Sequence, residues 1–332
     1  MNRLTDNKIV LVTRPTRLAD LVVRFNTVSQ AQFYIEHQGA DFKDYLIEDR
    51  RYHRALVEAQ AVLGQLGLVQ VIDRGFLPNF IFGPHDTVVT LGQDGLVANT
   101  LKYLHGQPVI GVNPDPARWD GKLLPFKVGD LKRLVPEVFR HGRQTKSVTM
   151  AKASLNNGQT IYAVNDLFIG PKSHGSARYQ IRWGEAFEAQ SSSGVIVSTG
   201  MGSTGWLKSL LTGAATIAQS AGSPLARRGV AEDLGNGSQP SPDSRVRLNV
   251  RAEFPWDADY LYFTVREPFP SRTTGATLVF GRVTAGNLLR LDSQMAENGV
   301  IFSDGIEKDF LEFNSGSQAT IGLGERKGVL VV

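Results

Sequence analysis

The chain has 332 residues, a formal net charge of +4 and a hydrophobic fraction of 42%. This length exceeds that of a usual single core, so two domains are expected. The lack of cysteine excludes disulfides, thiolate metal sites and a cysteine nucleophile, and six scattered histidines argue against structural zinc. The sequence contains no apolar run long enough to cross a membrane and no signal peptide, which predicts a cytoplasmic protein without a membrane partner. The positive charge suits nucleotide-like anions, whereas the lack of basic runs with interleaved aromatics argues against nucleic acid.

Strands and helices alternate through the first 142 residues. Continuous apolar runs predict strands, and apolar residues spaced three or four apart predict helices. The predicted strands are 8–13, 68–73, 87–91 and 107–112, and the predicted helices are 29–37, 50–66, 96–104 and 129–141. This alternation predicts an α/β domain over 1–142 with a Rossmann-like parallel sheet.

Strand patterns dominate from residue 143 onward. The predicted strands are 147–155, 159–169, 177–182, 185–190, 195–198, 260–265 and 299–303, with one helix at 206–219. Asn156-Asn157-Gly158 is typical of a hairpin turn. We therefore predict a β-rich, sandwich-like domain over 143–332, with a flexible loop near 222–245.

The segment Gly92-Gln93-Asp94-Gly95 joins a predicted buried strand to a predicted helix. Glycines permit close approach of the backbone to a ligand, and the N–H groups at a helix start favour an anion. A carboxylate beside a phosphate is repelled unless it binds a metal or takes a proton, so Asp94 is a candidate base or metal-linked group. The alternative is that Asp94 caps the helix.

Two further segments follow predicted strands of the first domain. Arg14 and Arg17 come after the first strand, where they would hold phosphate or remain solvated loop charges. Asn113 opens a loop stiffened by two prolines and ending at Gly121, which would form a ligand wall or a surface turn over Trp119.

Two polar residues, Asn165 and Asp166, interrupt an otherwise apolar strand of the second domain. The Asn165 amide can both donate and accept, which matches the edge of an adenine, and Asp166 can accept from ribose hydroxyls. A bulge or turn is the alternative interpretation of such a pair.

The stretch from Ser198 to Trp206 is rich in glycine and hydroxyl residues and lies between a buried strand and an amphipathic helix. Backbone N–H groups and hydroxyls at such a helix start can hold a diphosphate without a charged side chain. A plain Ser/Gly linker is the alternative.

These motifs together resemble those of the NAD kinase family, within the NAD kinase and diacylglycerol kinase superfamily. Gly92–Gly95 is similar to the family's Gly-Gly-Asp-Gly turn, and Asn165–Asp166 is similar to its short Asn-Glu/Asp motif. Ser198–Trp206 resembles its Ser-Thr-Pro-Thr-Gly-Ser-Thr-Ala-Tyr loop. The mitochondrial type of NAD kinase is the most similar subfamily, on the segments Asn113–Gly121, Ser193–Gly194 and Arg266–Pro268.

The resemblance implies the NAD kinase fold and phosphorylation of the adenosine-ribose 2′-hydroxyl of NAD(H). The phosphate donor would be ATP, or polyphosphate, with Mg²⁺ carried by ATP rather than by a fixed protein site. The protein would be a homo-oligomer, a dimer or larger. By resemblance Asp94 would be the catalytic residue. The implied NAD-binding residues are Asn113, Asn165, Asp166, Thr204, Gly205 and Trp206, and the implied phosphate-binding residues are Gly92, Gln93, Gly95, Gly202 and Ser203.

Two departures from the family pattern keep other functions open. Gln93 replaces a glycine and Leu96 replaces a threonine, which places the donor site in question. A catalytically weak NAD(P)-binding or regulatory protein of the same fold is therefore an alternative, and a lipid or alcohol kinase is another. Asp304, which precedes Gly305 after the strand 299–303, is interpreted as a turn residue.

Overall fold

The computed structural model describes residues 7–220, 253–306 and 309–332. The chain forms two compact units, one of Met1–Met150 with Gly324–Val332 and the other of Ala151–Leu323. This division differs from the predicted 142/143 boundary in two ways. The first unit extends to Met150, and the last residues of the chain also belong to it. The loop predicted near 222–245 lies outside the described residues.

Residues 7–142 contain four strands and five α-helices. The strands are β1 (Lys8–Thr13), β2 (Leu68–Asp73), β3 (Thr87–Leu91) and β4 (Pro108–Val112). The helices are α1 (Arg17–Phe25), α2 (Val28–His37), α3 (Lys43–Leu66), α4 (Asp94–Leu101) and α5 (Leu131–Phe139). The predicted strands 8–13, 68–73 and 87–91 have the observed bounds, because continuous β-branched and apolar runs leave little freedom in where a buried strand begins.

The rest of the described chain is mainly β-structure. Its first strands are β5 (Thr145–Leu155), β6 (Thr160–Ala163), β7 (Asp166–Pro171), β8 (Ala177–Trp183), β9 (Ala186–Ser192) and β10 (Val195–Ser198). Helix α6 (Trp206–Ser220) follows. The later strands are β11 (Tyr260–Val265), β12 (Phe280–Thr284), β13 (Leu289–Ser293), β14 (Gly299–Ser303), β15 (Phe310–Glu312) and β16 (Gln318–Val331).

The sheet of the first unit is parallel, in the order β2-β1-β3-β4-β16. All five residues of β3 are buried, which agrees with a strand covered on both faces. Only the end of β16 takes part, through Val329 opposite Pro108 and Leu330 opposite Val109. The predicted Rossmann-like parallel sheet is confirmed.

The second unit buries its core between two layers of antiparallel strands. One layer has the order β12-β11-β10-β7-β14-β15, and the other contains β13, β8, β9 and the first part of β16. Side chains from both layers share one hydrophobic core, which includes Tyr179, Leu291, Val197, Phe263 and Ile301. The sandwich-like prediction is confirmed.

Some elements differ from the sequence prediction. The single strand expected at 159–169 is two strands, β6 and β7, which pair with different neighbours. Helix α1 was not predicted, although Thr16 caps it by accepting a hydrogen bond from the Ala19 N–H at 3.2 Å. Strands β12, β13, β15 and β16 were also missed. None of the described helices combines the length and apolar character needed to cross a membrane.

Candidate functional site

The turn Gly92–Gly95 lies at the carboxyl edge of the parallel sheet of the first unit. Strand β3 pairs with β1 and β4 in parallel, so the ends of all three strands meet at this edge. The Gly92 N–H donates to the Val112 carbonyl at 3.2 Å, which ties the turn to the end of β4. Ligands of open α/β sheets bind at such an edge.

Asp94 does not cap helix α4. The N-cap is Gln93, and Asp94 is the first helical residue. Its Oδ1 accepts a hydrogen bond from the Leu123 N–H at 2.8 Å, across the loop that follows β4. Within the described residues Oδ2 has no hydrogen-bond partner. The capping alternative is therefore wrong, and the structure leaves one oxygen of this half-buried carboxylate available to a ligand.

An added side chain at Gly92 would have to displace Leu96. A Cβ at this position would lie 2.9 Å from Leu96 Cδ2 and 3.6 Å from Arg14 Nε. Leu96 itself is buried, with 3% of its surface exposed, so it belongs to the interior of the first unit. Gly95, by contrast, is exposed and has no atom within 4 Å of an added Cβ.

Arg14 and Arg17 are held in ion pairs and are not solvated loop charges, and their role in holding phosphate stays a prediction. Arg14 is buried, and its Nη2 donates to Glu48 Oε1 at 3.0 Å. Arg17 also pairs with Glu48 and donates to Asp44 at 2.7 Å. Burial opposes ionisation of Glu48, but the hydrogen bonds from Arg17 and Arg14 lower its pKa. In the part of the chain that the structure describes, Arg14 Nε has no acceptor.

The loop that begins at Asn113 is held together by its own polar groups. Asn113 Nδ2 donates to the Trp119 carbonyl at 2.8 Å, and its Oδ1 accepts from the Asp115 N–H at 3.0 Å. Asp115 in turn pairs with Arg51 at 2.9 Å. The buried Asn113 amide thus shapes this loop, and its role in binding NAD stays a prediction.

Strand pairing in the second unit brings Asp166 opposite Ser198, because β7 and β10 are neighbours. The Ser198 hydroxyl donates a hydrogen bond to the Asp166 carboxylate. Burial raises the pKa of Asp166 to about 7, the Ser198 hydrogen bond opposes this, and the negative charge of Asp304 adds to it. Two separate motifs of the sequence therefore meet at one place.

Asn165 has a fixed backbone and an unpaired side chain. Its N–H donates to Asp304 Oδ1 at 2.7 Å, and its carbonyl accepts from the Thr199 N–H at 2.9 Å. Among the described residues its side-chain amide has no hydrogen-bond partner. The chain bends at Asn165 between β6 and β7, which agrees with the turn alternative, and the amide remains available to a ligand.

The segment Ser198–Trp206 is packed rather than loose. Ser198, Thr199 and Ser203 are each at most 1% exposed, so a plain linker is excluded. A Cβ at Gly202 would lie 2.2 Å from the Asn165 carbonyl oxygen, which requires glycine there. The turn Gly202–Thr204 then leads directly into α6.

Three residues at the start of α6 face outward. Thr204 and Gly205 are exposed, and Trp206 is 40% exposed. The Trp206 ring lies 6.0 Å from the Phe168 ring, and the Arg266 guanidinium lies 5.9 Å from the Trp206 ring. The sequence predicted no contact for Arg266. Its position over Trp206 depends on the pairing of β10 with β11, which no local sequence pattern indicates.

Asp304 makes contacts with the candidate site that the sequence analysis did not predict. It forms the expected turn after β14, with φ 54°, but its carboxylate also accepts hydrogen bonds from the Val164 and Asn165 N–H groups. The only available signal was the Asp-Gly pair, which indicates the turn and not the distant contact.

The predicted site residues fall into two groups. Gly92, Gln93, Asp94, Gly95 and Asn113 lie in the first unit. Those in the second unit are Asn165, Asp166, Gly202, Ser203, Thr204, Gly205 and Trp206. Over the described ranges, no three His, Asp or Glu side chains are grouped so as to hold a metal ion.

No protein-family model and no curated protein sequence matches the chain. The solved structures that are similar to it include two kinases. An NAD kinase from Archaeoglobus fulgidus in complex with ATP has a TM-score of 0.51 at 14% identity, covering 98% of this chain and 93% of that one. Yeast NADH kinase complexed with NADH has a TM-score of 0.54 at 15% identity, covering 99% of this chain and 84% of that one. With both units and nearly the whole chain aligned, the protein has the fold of the NAD kinases.

Proposed function

We propose that the protein is an NAD kinase, which transfers the terminal phosphoryl group of ATP to the adenosine-ribose 2′-hydroxyl of NAD(H). The observation that carries the proposal is the meeting of Asn165–Asp166 with the loop Ser198–Trp206 within the second unit. This arrangement occurs in a fold shared with one protein solved with ATP and another solved with NADH.

Asp94 is the proposed catalytic residue. Its Oδ1 is oriented by the Leu123 N–H, which leaves Oδ2 to accept the proton of the 2′-hydroxyl as that oxygen attacks phosphorus. The bond from the donor phosphorus to its leaving oxygen breaks as the new ester bond forms. Phosphoryl transfer requires positioning and charge stabilisation more than covalent catalysis, which suits a site with a single reactive carboxylate.

The remaining predicted residues have proposed binding roles. Asn165 is proposed to hydrogen-bond the adenine edge and Asp166 the ribose hydroxyls, since the first has an unpaired amide and the second a carboxylate. The proposed phosphate-binding residues are Gly92, Gln93, Gly95, Gly202 and Ser203. The proposed additional NAD contacts are Asn113, Thr204, Gly205 and Trp206.

Mg²⁺ is proposed to enter with ATP and, when bound, to neutralise charge on the phosphate oxygens. The residues present fit this arrangement, because Oδ2 of Asp94 is assigned to the 2′-hydroxyl and the ion would then be held by the phosphate oxygens of ATP. The proposed location is the cytoplasm. The proposed assembly is a homodimer or larger homo-oligomer, and light scattering of the purified protein would test the assembly.

One observation favours a second candidate, a catalytically weak NAD(P)-binding protein. Leu96, where the family has threonine, is buried against Gly92 and offers no hydroxyl to a donor phosphate. This candidate keeps the arrangement of the second unit and lacks an efficient donor site.

The deciding experiment is to measure NADP(H) formation by purified protein with Mg²⁺, offering NAD and NADH in parallel and ATP or polyphosphate as donor. The kinase proposal expects product that depends on donor and Mg²⁺ and is lost in Asp94→Asn. NAD binding without product formation would instead support the second candidate. Product from neither dinucleotide and no dinucleotide binding would refute both.

A further inference from the structure

We infer that Asp304 is a positioning residue that sets the dinucleotide-binding geometry of Asn165 and Asp166, an inference that rests on the proposed function. Asp304 Oδ1 accepts hydrogen bonds from three successive backbone N–H groups. The donors are Val164 at 3.1 Å, Asn165 at 2.7 Å and Asp166 at 3.3 Å. In return the Asp304 N–H donates to the Asp166 carbonyl at 3.0 Å. One side chain thus holds the peptide groups of both proposed ligand-binding residues.

The turn alone does not require aspartate at this position. Asp304 and Gly305 have φ of 54° and 72°, and the Ile306 N–H donates to the Ser303 carbonyl at 3.0 Å, which closes the turn. Asparagine or glycine would serve such a turn at least as well. What only a carboxylate supplies is a charged acceptor for several donors at once.

The hydrogen bonds to Asp304 explain why the predicted strand 159–169 is interrupted. Strand β6 ends at Ala163 and β7 begins at Asp166, and the N–H groups around this break are satisfied by Asp304 instead of by a neighbouring strand. Because the Thr199 N–H binds the Asn165 carbonyl, the Asn165 peptide is held at both ends. Only its side-chain amide is left to face a ligand, in an orientation fixed by the backbone.

Asp304 also acts on Asp166 through its charge. The groups that face the Asp166 carboxylate are the Ser198 hydroxyl on β10 and the Asp304 carboxylate from the turn after β14. Tyr262 on β11 is the next residue of the same cross-strand row, beyond Ser198. Since the Asp304 charge contributes to the raised pKa of Asp166, neutralising residue 304 lowers that pKa. The pH dependence of NAD binding therefore reports on the contact between Asp304 and Asp166 separately from the stability of the fold.

The test is a calorimetric titration of the full chain with NAD, for the wild type and the variants Asp304→Gly and Asp304→Asn. The matched control is Asn298→Gly, because Asn298 also has a positive φ, of 59°, and directly precedes β14. Asp304→Gly keeps the turn and removes every acceptor, so NAD affinity should fall about tenfold or more, whereas the control should bind as the wild type does. In Asp304→Asn, affinity should fall by a smaller factor, because one neutral acceptor remains. The pKa of Asp166, raised to about 7 in the wild type, should also move down, and the pH dependence of NAD affinity should shift to lower pH with it.

The outcomes are distinguishable. A wild type that does not bind NAD refutes the proposed function and the inference with it. A wild type that binds NAD, with both Asp304 variants matching the Asn298→Gly control, overturns the inference alone. If Asp304→Gly fails to fold, Asp304→Asn decides: an unchanged affinity together with an unchanged pH midpoint shows that Asp304 only supports the fold.

Discussion

The turn at Gly92–Gly95 and the segment around Asn165 both hold proposed ligand-binding residues, but they are built differently. The first is built mainly from nearby residues, the end of β3, the start of α4 and the side chain of Leu96, and its most distant hydrogen-bond partner is Leu123. The second is held by Asp304, which lies 139 residues away from Asn165 along the chain. A site built locally shows its motif in the sequence, whereas a site built by distant contacts shows only the residues that touch the ligand.

The sharpest test of the local turn is Asp94→Asn. Because the carboxylate is proposed to accept a proton in the transition state, kinase activity should fall roughly 100-fold or more, while NAD affinity stays within about twofold. Initial rates and a binding titration measure the two effects. Asp20→Asn, another acidic residue in the first turn of a helix, is the control and should leave both unchanged. Equal losses of rate and binding would assign Asp94 a structural role.

Asp166 should make the free energy of unfolding depend on pH. Asp166 has a folded-state pKa of about 7, above its usual value near 4, so the folded protein holds this proton more tightly than the unfolded chain. Its contribution to stability is present below about pH 4 and is lost as the pH rises through about 7, a change on the order of 2–4 kcal/mol. Asp166→Asn should therefore raise the free energy of unfolding relative to wild type at pH 8 and much less at pH 4. Urea titrations without ligand at both pH values measure the difference, and a pH-independent difference would contradict the buried proton.

Two glycine substitutions compare the regions directly. Gly202→Ala would place a Cβ 2.2 Å from the Asn165 carbonyl oxygen, so it should lower the free energy of unfolding by about 1–3 kcal/mol and weaken NAD binding. Gly95→Ala meets no atom within 4 Å and lies in helix α4, so stability should be unchanged or rise by up to about 1 kcal/mol. Thermal unfolding of both variants measures this contrast. Similar losses of stability in both variants would show that the backbone at Gly95 is packed as tightly as the backbone at Gly202.

The smallest effect is expected at Gln93. This half-buried residue makes no capping hydrogen bond to α4, so Gln93→Gly should change kinase activity by no more than about threefold. Reversion of Leu96 to threonine is not neutral, since the buried side chain fills the space beside Gly92 and its loss should cost roughly 2 kcal/mol of stability. Rates with ATP for the single and double variants measure the effect on activity, and urea titrations measure the effect on stability. An inactive wild type rescued by the double reversion would show that these residues block the donor site.

Much of the fold was predictable because its strands are continuous apolar runs. Strands β1, β3 and β10 have the predicted bounds, and the predicted helix 29–37 differs from α2 by one residue. Helix α1 escaped prediction because Arg14–Arg17 was interpreted as a charged loop, although the Thr16 cap was visible. The edge strand β15 has three half-exposed or exposed residues, which give no alternating pattern to detect.

The candidate site was predictable to the extent that its chemistry lies in side chains next to one another in sequence. Asn165 and Asp166 were predicted because two polar residues interrupt an apolar run. In the structure the Asp304 carboxylate accepts from the Asn165 N–H, and the Ser198 hydroxyl donates to the Asp166 carboxylate. The contribution of Asp304 depends on which strands become neighbours. Periodicity and turn residues carry no information about such pairings.

Strand β16 affects how the chain folds while it is being synthesised. Its last residues pair with β4, and Val331 is buried in the core of the first unit. When β4 has left the ribosome, its outer edge therefore lacks a partner until more than two hundred further residues have been made, as the numbering from Val112 to Val329 requires. An open edge with unpaired backbone groups favours pairing with other chains. The unit that is synthesised first is thus the last to be completed, and a chaperone would be needed most during that interval.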